Sequence, residues 1–406
     1  MTNFFSNFCS PLKNHWAKTK HLFSKFSLSS DQPFIMIKLV CVDIGYHPVA
    51  KTINYICLAI HISSFLLEMN YLRLNFSTDL LIKYGCGISA VVYDISTLIV
   101  APMIERPTIG LSEGITTSFW PIDFCGPKVK QLILEDTKKT SKIYYRTLVT
   151  IFGFAAVIML PIWGDQKEWF LCVQVYEHYF GKWAQIPYHI YFLSFMWFAF
   201  TSVRLPLMMS YAIKNIRVQV FLVNQKIAKM SKEYEEAKIE DVNYQNRVYK
   251  NLRLCISHHV LLKWWLRKLQ KIVRFCLPVF VVIGILTESS VVFYLIYNFK
   301  KVNLLLKIRF LLLACTTGVI IYFFSEAGQS LYIEVFDSLI SCPWYSWNVK
   351  NRKVLLIFLT NSLQPMFFSL VGFTIDYRFA LTMIRTSFSY AIILYNLSSG
   401  SQIASI

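Results

Sequence analysis

The sequence carries little charge and lacks the usual enzyme motifs. Only 16% of its 406 residues are charged, whereas soluble domains carry about a quarter. It has no Walker A loop, no GxGxxG segment after a strand, no HExxH and no GxSxG. The ten cysteines form no CxxC pair and no metal-type spacing, which is typical of small buried hydrophobes. We therefore expect a protein that is not an enzyme and that holds no metal and no cofactor.

Histidine gives no support for a metal site either. His258 and His259 form the only histidine pair in the sequence. Adjacent residues of a helix point about 100° apart, so they cannot readily share one ion as an i, i+4 pair does. We interpret them as packing residues.

Apolar residues dominate instead. The chain is 55% hydrophobic and 16% aromatic, with a mean hydropathy of +0.46. A helix needs about 20 mostly apolar residues to cross the hydrocarbon core of a membrane. These features predict an all-α integral membrane protein. The clear runs are Ile53–Leu72, Leu80–Met103, Tyr144–Trp163, Tyr188–Met209, Ile272–Tyr297 and Ile308–Phe324.

The C-terminal region offers two further runs, Val354–Phe373 and Phe379–Leu397. Gln364-Pro365 interrupts the first run and would break helical hydrogen bonds at mid-membrane depth. The second run is continuous and is followed by Ser398-Ser399-Gly400, where we expect the helix to end. We take the second run as the seventh transmembrane helix.

The distribution of basic residues predicts the orientation. The net charge is +18, and Lys and Arg near helix ends are retained in the cytoplasm. Met1–Ser30 has no apolar core followed by a cleavage site, so we expect a cytoplasmic N-terminus. The inner segments then hold about thirty basic residues and the outer loops about seven, with the largest share in Lys214–Lys271. The C-terminus becomes extracellular, and the positive excess needs no nucleic-acid partner.

Ionisable side chains inside the predicted spans are costly and commonly functional. Arg204 lies near an inner end, where it can reach the interface, and we interpret it as an anchor. Asp94 lies in the second span. Glu288 lies in the outer half of the fifth span, and both helix packing and contact with a ligand or ion stay open for it.

The outer halves of spans two to four are rich in aromatic residues. Any one of them suits a membrane interface or helix packing, whereas together they can line an apolar pocket for a small hydrophobic ligand. Few charges accompany them, which favours a neutral ester, alcohol or terpenoid over an amine or acid. They are Tyr84, Tyr93, Phe152, Phe154, Trp163, Tyr188, Tyr191, Phe192, Phe195 and Trp197.

The seventh predicted helix is polar in its first half and apolar towards its end. A polar stripe that leads to an apolar constriction suits a water-filled path. Stripes of Ser and Thr also hold helices together, and the residues alone favour this second interpretation. The polar residues are Thr382, Arg385, Thr386, Ser387 and Ser389, and the apolar segment is Ala391–Leu394.

A series of linked motifs runs through the C-terminal part of the chain. The segments are Cys255–Leu266, Ser341–Tyr345, Asn348–Leu359, Gln364-Pro365, Gly372-Phe373 and Phe388–Tyr390. The first segment resembles the C-I-x-x-H helix of insect odorant receptors. The second and third together resemble that family's W-Y, K-x-R-K, L-L-x-F-L signature, and the other three follow in the family's order. Phe388 replaces the tyrosine usual in that family, and the family's cysteine near the end of span six is not evident.

The resemblance implies a subunit of an odorant-gated, non-selective cation channel in the plasma membrane of sensory neurons. The implied partners are a small volatile odorant, a shared co-receptor that completes a heterotetramer, and membrane lipid. This chain would supply the ligand specificity. A seven-helix G-protein-coupled receptor or a gustatory-type channel is the alternative, although the D/ERY, NPxxY and TYxxxxQF motifs of those classes are absent.

The resemblance also implies a domain order and candidate residues. The order is a cytoplasmic segment able to hold a re-entrant helix (1–52), spans one to four around the ligand (53–212), a cytoplasmic loop with anchor helices (213–271), spans five and six (272–324), further anchor helices (325–373), the pore helix (374–397) and an extracellular tail (398–406). The ligand candidates are Tyr84, Ile88, Phe152, Phe154, Tyr188, Tyr191, Phe192 and Phe195. The pore candidates are Ser387, Phe388, Ala391 and Leu394, and the subunit-contact candidates are Trp344, Tyr345, Leu355 and Phe358.

Overall fold

The computed structural model describes residues 33–160, 166–232, 240–298, 303–331, 335–364, 366–370 and 372–404. Trp163, Pro365 and residues 1–32 of the predicted cytoplasmic segment lie outside the described residues. Expectations that rest on those positions stay predictions.

The described chain is almost entirely helical, as the sequence predicts. A small antiparallel sheet of β1 (Ser369–Leu370) and β2 (Phe373–Thr374) precedes the last helix. The helices are α1 (Ile35–Lys38, continued by a π-helical segment at Leu39–Ile44), α2 (Pro48–Leu74), α3 (Thr78–Met103), α4 (Glu105–Ser118), α5 (Pro127–Met159), α6 (Leu171–Phe180), α7 (Gln185–Lys232), α8 (Val242–Val273), α9 (Cys276–Asn298), α10 (Leu304–Gln329), α11 (Val335–Ile340), α12 (Val349–Ser362) and α13 (Tyr377–Ala404).

Polar side chains fix the start of several helices. Ser77, Asn303 and Asn348 each accept a hydrogen bond from the amide nitrogen three residues later, at 3.1, 2.8 and 2.9 Å. These bonds satisfy amides that have no partner inside the first turns of α3, α10 and α12. The apolar runs of α3 and α10 therefore begin at defined positions.

Within the described residues, six helices are long and apolar enough to cross a membrane: α2, α3, α5, α7, α9 and α10. Each overlaps one of the six apolar runs recognised in the sequence, so the prediction of a multi-pass membrane protein is confirmed at this level. α13 has 28 residues but is not among these six helices. The seventh span and the orientation of the termini therefore stay predictions.

Several predicted boundaries are wrong. α5 begins at Pro127, ahead of the apolar run that starts at Tyr144, and α7 continues without a break to Lys232, into the segment 213–271 where we expected a loop with anchor helices. The run that we took as the fifth span is divided, because Ile272 belongs to α8 and α9 begins at Cys276. α13 runs to Ala404, past the expected stop at Ser398. Hydropathy marks where a helix is apolar, whereas the hydrogen-bonded helix continues through polar residues.

α7 is the central helix of the fold. In its most apolar 18-residue stretch 72% is buried inside the protein, against 22% to 39% in the corresponding stretches of the other candidate spans. Its 48 residues correspond to about 72 Å of helix, more than twice the roughly 30 Å of a hydrocarbon core. It packs with α3, α5, α10 and α8, and the contact of Gln219 with His258 of α8 lies on the part beyond Lys214. The helix therefore joins the apolar bundle to a second helical layer.

The remaining helices attach to these two layers. α13 packs along α9, which also contacts α3. α12 packs against α8 and ends at Ser362, before Gln364. The run Val354–Phe373 is therefore divided between a helix and the β-hairpin, which agrees with our decision not to count it as a span.

Candidate functional site

An apolar cavity lies inside the bundle of spanning helices. It has a volume of about 110 Å³ and is lined by α3, α5, α7, α9, α10 and the start of α13. A water needs roughly 10–15 Å³ on this scale, so the cavity can hold a molecule of several heavy atoms. Aromatic rings form much of its wall: Tyr93, Phe195, Phe198, Phe280, Phe324 and Phe379.

The α7 side of the wall is supported from behind by a buried histidine. His61 of α2 is fully buried, and its ring lies 5.1 Å from that of Phe195 and 4.0 Å from that of Phe198. Its Nε2 lies 2.6 Å from the Ser194 hydroxyl. These contacts fix the rings that face the cavity, because edge contacts between aromatic rings are geometrically specific.

Polar groups in the cavity wall are few. The lining residues with polar side chains are Asp94, Tyr93, Ser202, Thr287, Thr316 and Thr317. Glu288 is beside Thr287 on α9 without lining the cavity, and its Oε2 has no hydrogen-bond partner within the described residues. The two interpretations of Glu288 stay open.

The predicted ligand residues are divided by the fold. Phe195 lines the cavity. Tyr191 and Phe192 are fully buried in a neighbouring aromatic cluster, against which Tyr188 and Phe154 pack. This cluster lies under α6, a helix of ten residues that is too short to be detected as a span. These four residues therefore form the layer behind the cavity.

Tyr84 and Ile88 lie in a separate small cluster with Leu171 and Val175 of α6. The Tyr84 hydroxyl donates to the Lys167 carbonyl at 3.0 Å and accepts from Gln174 Nε2 at 2.7 Å. Neither Tyr84 nor Ile88 lines the cavity, and Phe152 is half-buried on α5 away from it.

Sequence reasoning missed Phe198 and Ala199, which follow Phe195 by three and four positions on α7 and line the cavity with it. This i, i+3, i+4 spacing marks one face of a helix. With Phe195 chosen as a ligand residue, this spacing predicts that Phe198 and Ala199 lie on the same face of α7.

The four predicted pore residues occupy different faces of α13. Ser387 and Ala391 are buried with Met383, each four positions apart, and Ala391 clusters with Val292 and Phe293 of α9. Phe388 and Leu394 are exposed, at 47% and 44%. The face opposite the buried residues carries Arg378, Thr382, Arg385, Ser389, Ile392 and Asn396, all exposed.

The subunit-contact candidates are also divided. Leu355 and Phe358 are buried within the chain, and the Phe358 ring lies 5.5 Å from His259 of α8. Trp344 and Tyr345 are exposed. Two neighbours that we did not predict, Leu356 and Ile357, are exposed at 64% and 58%.

The histidine pair is accounted for by packing. His258 stacks on Trp120 with ring centroids 4.0 Å apart, and its Nε2 lies 2.9 Å from Gln219 Oε1. Burial lowers the pKa of His258 and that of His259 to about 4. Among the described residues no group of three or more His, Cys, Asp or Glu side chains is arranged to hold a metal ion.

Comparisons with known proteins agree with this architecture. The family model "7tm Odorant receptor" matches residues 128–388. A solved structure of the insect olfactory receptor OR5 from Machilis hrabei has a similar fold, with a TM-score of 0.65, 11% identity, and coverage of 84% of this chain and 88% of that one. The same receptor in complex with eugenol gives a TM-score of 0.63, with the same identity and coverage. Curated protein sequences give no match.

Proposed function

The chain belongs to the 7tm odorant receptor family, whose model matches more than half of its length, and on this premise we propose that it is the ligand-specific subunit of an odorant-gated cation channel. The observation that carries the proposal is the apolar cavity, whose wall includes Phe379 and Met383 of α13. A ligand in this cavity would touch the helix that we assign to the pore. The site of action is the plasma membrane of a sensory neuron.

The cavity suits a small, mostly apolar molecule. Its wall is dominated by aromatic and aliphatic side chains, so a ligand gains free energy chiefly by burial of its surface. The similar receptor OR5 has been solved with eugenol, a molecule of this kind. We propose that Phe195 and Phe198 contact the ligand, and that Tyr191 and Phe192 hold this wall in place.

We assign the ion path to the exposed face of α13. Arg378, Thr382, Arg385, Ser389, Ile392 and Asn396 are spaced alternately by four and three positions, the repeat with which a helix faces a common axis. Phe388 borders this face, whereas burial of Ser387 and Ala391 against α9 favours a packing role for them. Ile392 and its neighbours would form the apolar constriction that closes by dewetting.

Assembly with a co-receptor into a heterotetramer would use the exposed apolar residues near α12. Trp344, Tyr345, Leu356 and Ile357 are all at least 48% exposed. Large exposed apolar groups on one surface are typical of an interface. Leu355 and Phe358 would support that surface from inside the subunit.

Gating can be stated as linkage between the cavity and the pore helix. Met383 lines the cavity and lies on the same buried face of α13 as Ser387 and Ala391. A ligand that prefers the cavity of the open state shifts the closed and open populations by its difference in affinity for the two. The ligand would therefore act on the pore helix by direct contact with α13.

Co-expression tests the proposal. The full chain is produced in cells with and without an insect odorant co-receptor, surface delivery is measured for both, and currents are recorded over a broad panel of volatiles. We expect odorant-evoked cation current mainly from the pair. Surface delivery of both subunits with no response to any volatile would contradict the proposal.

A further inference from the structure

The last turns of α8 carry a basic face that runs up to α9. Arg267, Lys271 and Arg274 are exposed and follow one another by four and three positions, so they share one side of the helix. Lys268 lies beside them, with its Nζ 5.2 Å from the ring centroid of Trp264. Arg274 keeps helical dihedral angles, φ −54° and ψ −38°, so the face continues to the start of α9. We call Arg267, Lys268, Lys271 and Arg274 the boundary cations.

No carboxylate pairs with the boundary cations. The sequence from Val242 to Thr287 contains eight Lys and Arg residues and no Asp or Glu. Within the described residues the boundary cations form no ion pair and no side-chain hydrogen bond, and Glu113 of α4, a helix that packs against α8, pairs with none of them. The pKa of Lys263 is lowered by burial and then by the charge of Arg267. The face therefore carries an uncompensated positive charge.

The face lies at the depth where a membrane surface would meet the helical bundle. α9 is one of the helices apolar enough to span, and its exposed side is apolar from the junction onwards, at Phe275, Val279, Val282 and Leu286. Arg267 lies at most about 14 Å before α9, at 1.5 Å per residue. Headgroups add about 5–8 Å on each side of the hydrocarbon core, and a charged surface acts over about 8–10 Å more. The boundary cations are therefore within reach of lipid headgroups.

A topology signal alone does not explain this arrangement. Retention of a loop in the cytoplasm depends on the number of basic residues near helix ends, and it does not require that they share one side of a helix. Trp264, which is 51% exposed on the same side, adds an indole ring of the kind enriched at membrane–water interfaces. A basic and aromatic face at this depth is complementary to the negatively charged cytoplasmic leaflet.

We propose that the boundary cations bind anionic phospholipid of the cytoplasmic leaflet through the phosphate and carboxylate groups of its headgroup. Arg and Lys donate charge-assisted hydrogen bonds to such groups. The inference goes beyond the proposed function, because it needs neither an odorant nor an open pore. It shares with that function only the predicted cytoplasmic position of α8.

Binding is measured on the purified full chain in detergent, as thermal stabilisation by dioctanoyl phosphatidylserine and by dioctanoyl phosphatidylcholine. Each Lys or Arg near an anionic surface contributes roughly fivefold in binding, so we expect phosphatidylserine to bind at least about tenfold more tightly. Added salt should reduce the difference. Phosphoserine, which has the same headgroup charges without acyl chains, should not stabilise the protein. Equal binding of the two lipids, or stabilisation by phosphoserine as strong as by the lipid, would overturn the inference.

Two triple variants of α8 locate the site. The boundary variant carries Arg267→Gln, Lys271→Gln and Arg274→Gln. The control variant removes three exposed charges that lie about 34 Å or more from α9 along the same helix: Arg247→Gln, Lys250→Gln and Arg253→Gln. The boundary variant should lose the preference for phosphatidylserine, and the control variant should keep it. A preference that survives in the boundary variant, or that falls equally in both, would refute the assignment.

A single substitution covers the case in which the boundary variant does not fold. Lys271→Glu reverses one charge and should weaken phosphatidylserine more than Lys271→Gln does; equal affinities in the two would count against the proposal. Failure of the receptor function gives a different result. Absent odorant currents with an intact lipid preference refute the receptor function alone, whereas intact currents without a lipid preference refute the lipid site alone.

Discussion

Removal of the carboxylate of Glu326 should destabilise the folded protein by about 3–5 kcal/mol, the cost of leaving a buried ion without its partner. Lys214 on α7 forms an ion pair with Glu326 on α10, and only 4% of the lysine side chain is exposed. The Tyr144 hydroxyl of α5 donates to the other carboxylate oxygen at 3.1 Å. Glu326→Gln would leave the Lys214 ammonium group buried without a counter-charge.

The double variant Lys214→Met with Glu326→Leu separates the effect of charge from that of shape. Replacement of both members of a buried pair by apolar residues is often neutral or stabilising. Tyr144 would lose its acceptor, at a cost of about 1–3 kcal/mol. We therefore expect the double variant to be more stable than Glu326→Gln, although it carries two substitutions.

Thermal unfolding of the purified full chain in detergent measures these differences. Glu326→Gln should lower the Tm by several degrees. The control is Glu177→Gln, which breaks an ion pair with Lys167 whose side chains are 51% and 42% exposed and which should cost less than about 1 kcal/mol. Equal losses in the two single variants, or a double variant no more stable than Glu326→Gln, would refute the reasoning.

Further predictions concern packing, pH and assembly. Gly328→Ala would place a Cβ 1.7 Å from the Ile375 carbonyl oxygen, so surface expression should fall, whereas Gly318→Ala, which has open space, should be tolerated. His258 has a folded-state pKa of about 4 against 6.5 for the free side chain, so the unfolded chain binds the extra proton between these values and stability falls as pH drops through that window. Unfolding is measured at each pH. The loss in the free energy of unfolding between pH 7 and pH 5 should be about 2 kcal/mol smaller in His258→Gln than in the unaltered protein. Leu356→Asp should abolish co-purification with the co-receptor and leave the Tm of the isolated chain unchanged; retained co-purification would contradict the assigned interface.

The sequence predicts the spanning helices well because each apolar run is as long as the membrane is thick. It does not predict α6, since Leu171–Phe180 is too short to be recognised as a span, yet this helix covers the aromatic cluster around Tyr191. The cavity itself depends on which helix faces meet, and hydropathy alone carries no such information. Phe195 was chosen as one of many aromatic residues, whereas Ala199 was missed because it is small, and the aromatic Phe198 was missed because the facing of the helix was not known.

The last helix illustrates a second limit. From the residues alone we favoured helix packing for its Ser and Thr stripe, and Ser387 does lie on the face against α9. The family resemblance assigned Ser387 and Ala391 to the pore, although small residues also allow close approach of two helices. Only the position of α9 distinguishes the two faces of α13.

The most direct test of the central claim, that the cavity is the ligand site, is the odorant concentration–response of Ala199→Phe co-expressed with the co-receptor. Ala199 lines the cavity on α7, and an added phenyl ring would occupy the space of the ligand. For Ala199→Phe we predict normal surface delivery and basal current, with the evoked current lost or its half-maximal odorant concentration raised at least about tenfold. The control is Leu193→Phe on the same helix, where the leucine is 63% exposed; it should respond as wild type. An unchanged concentration–response in Ala199→Phe would contradict the claim.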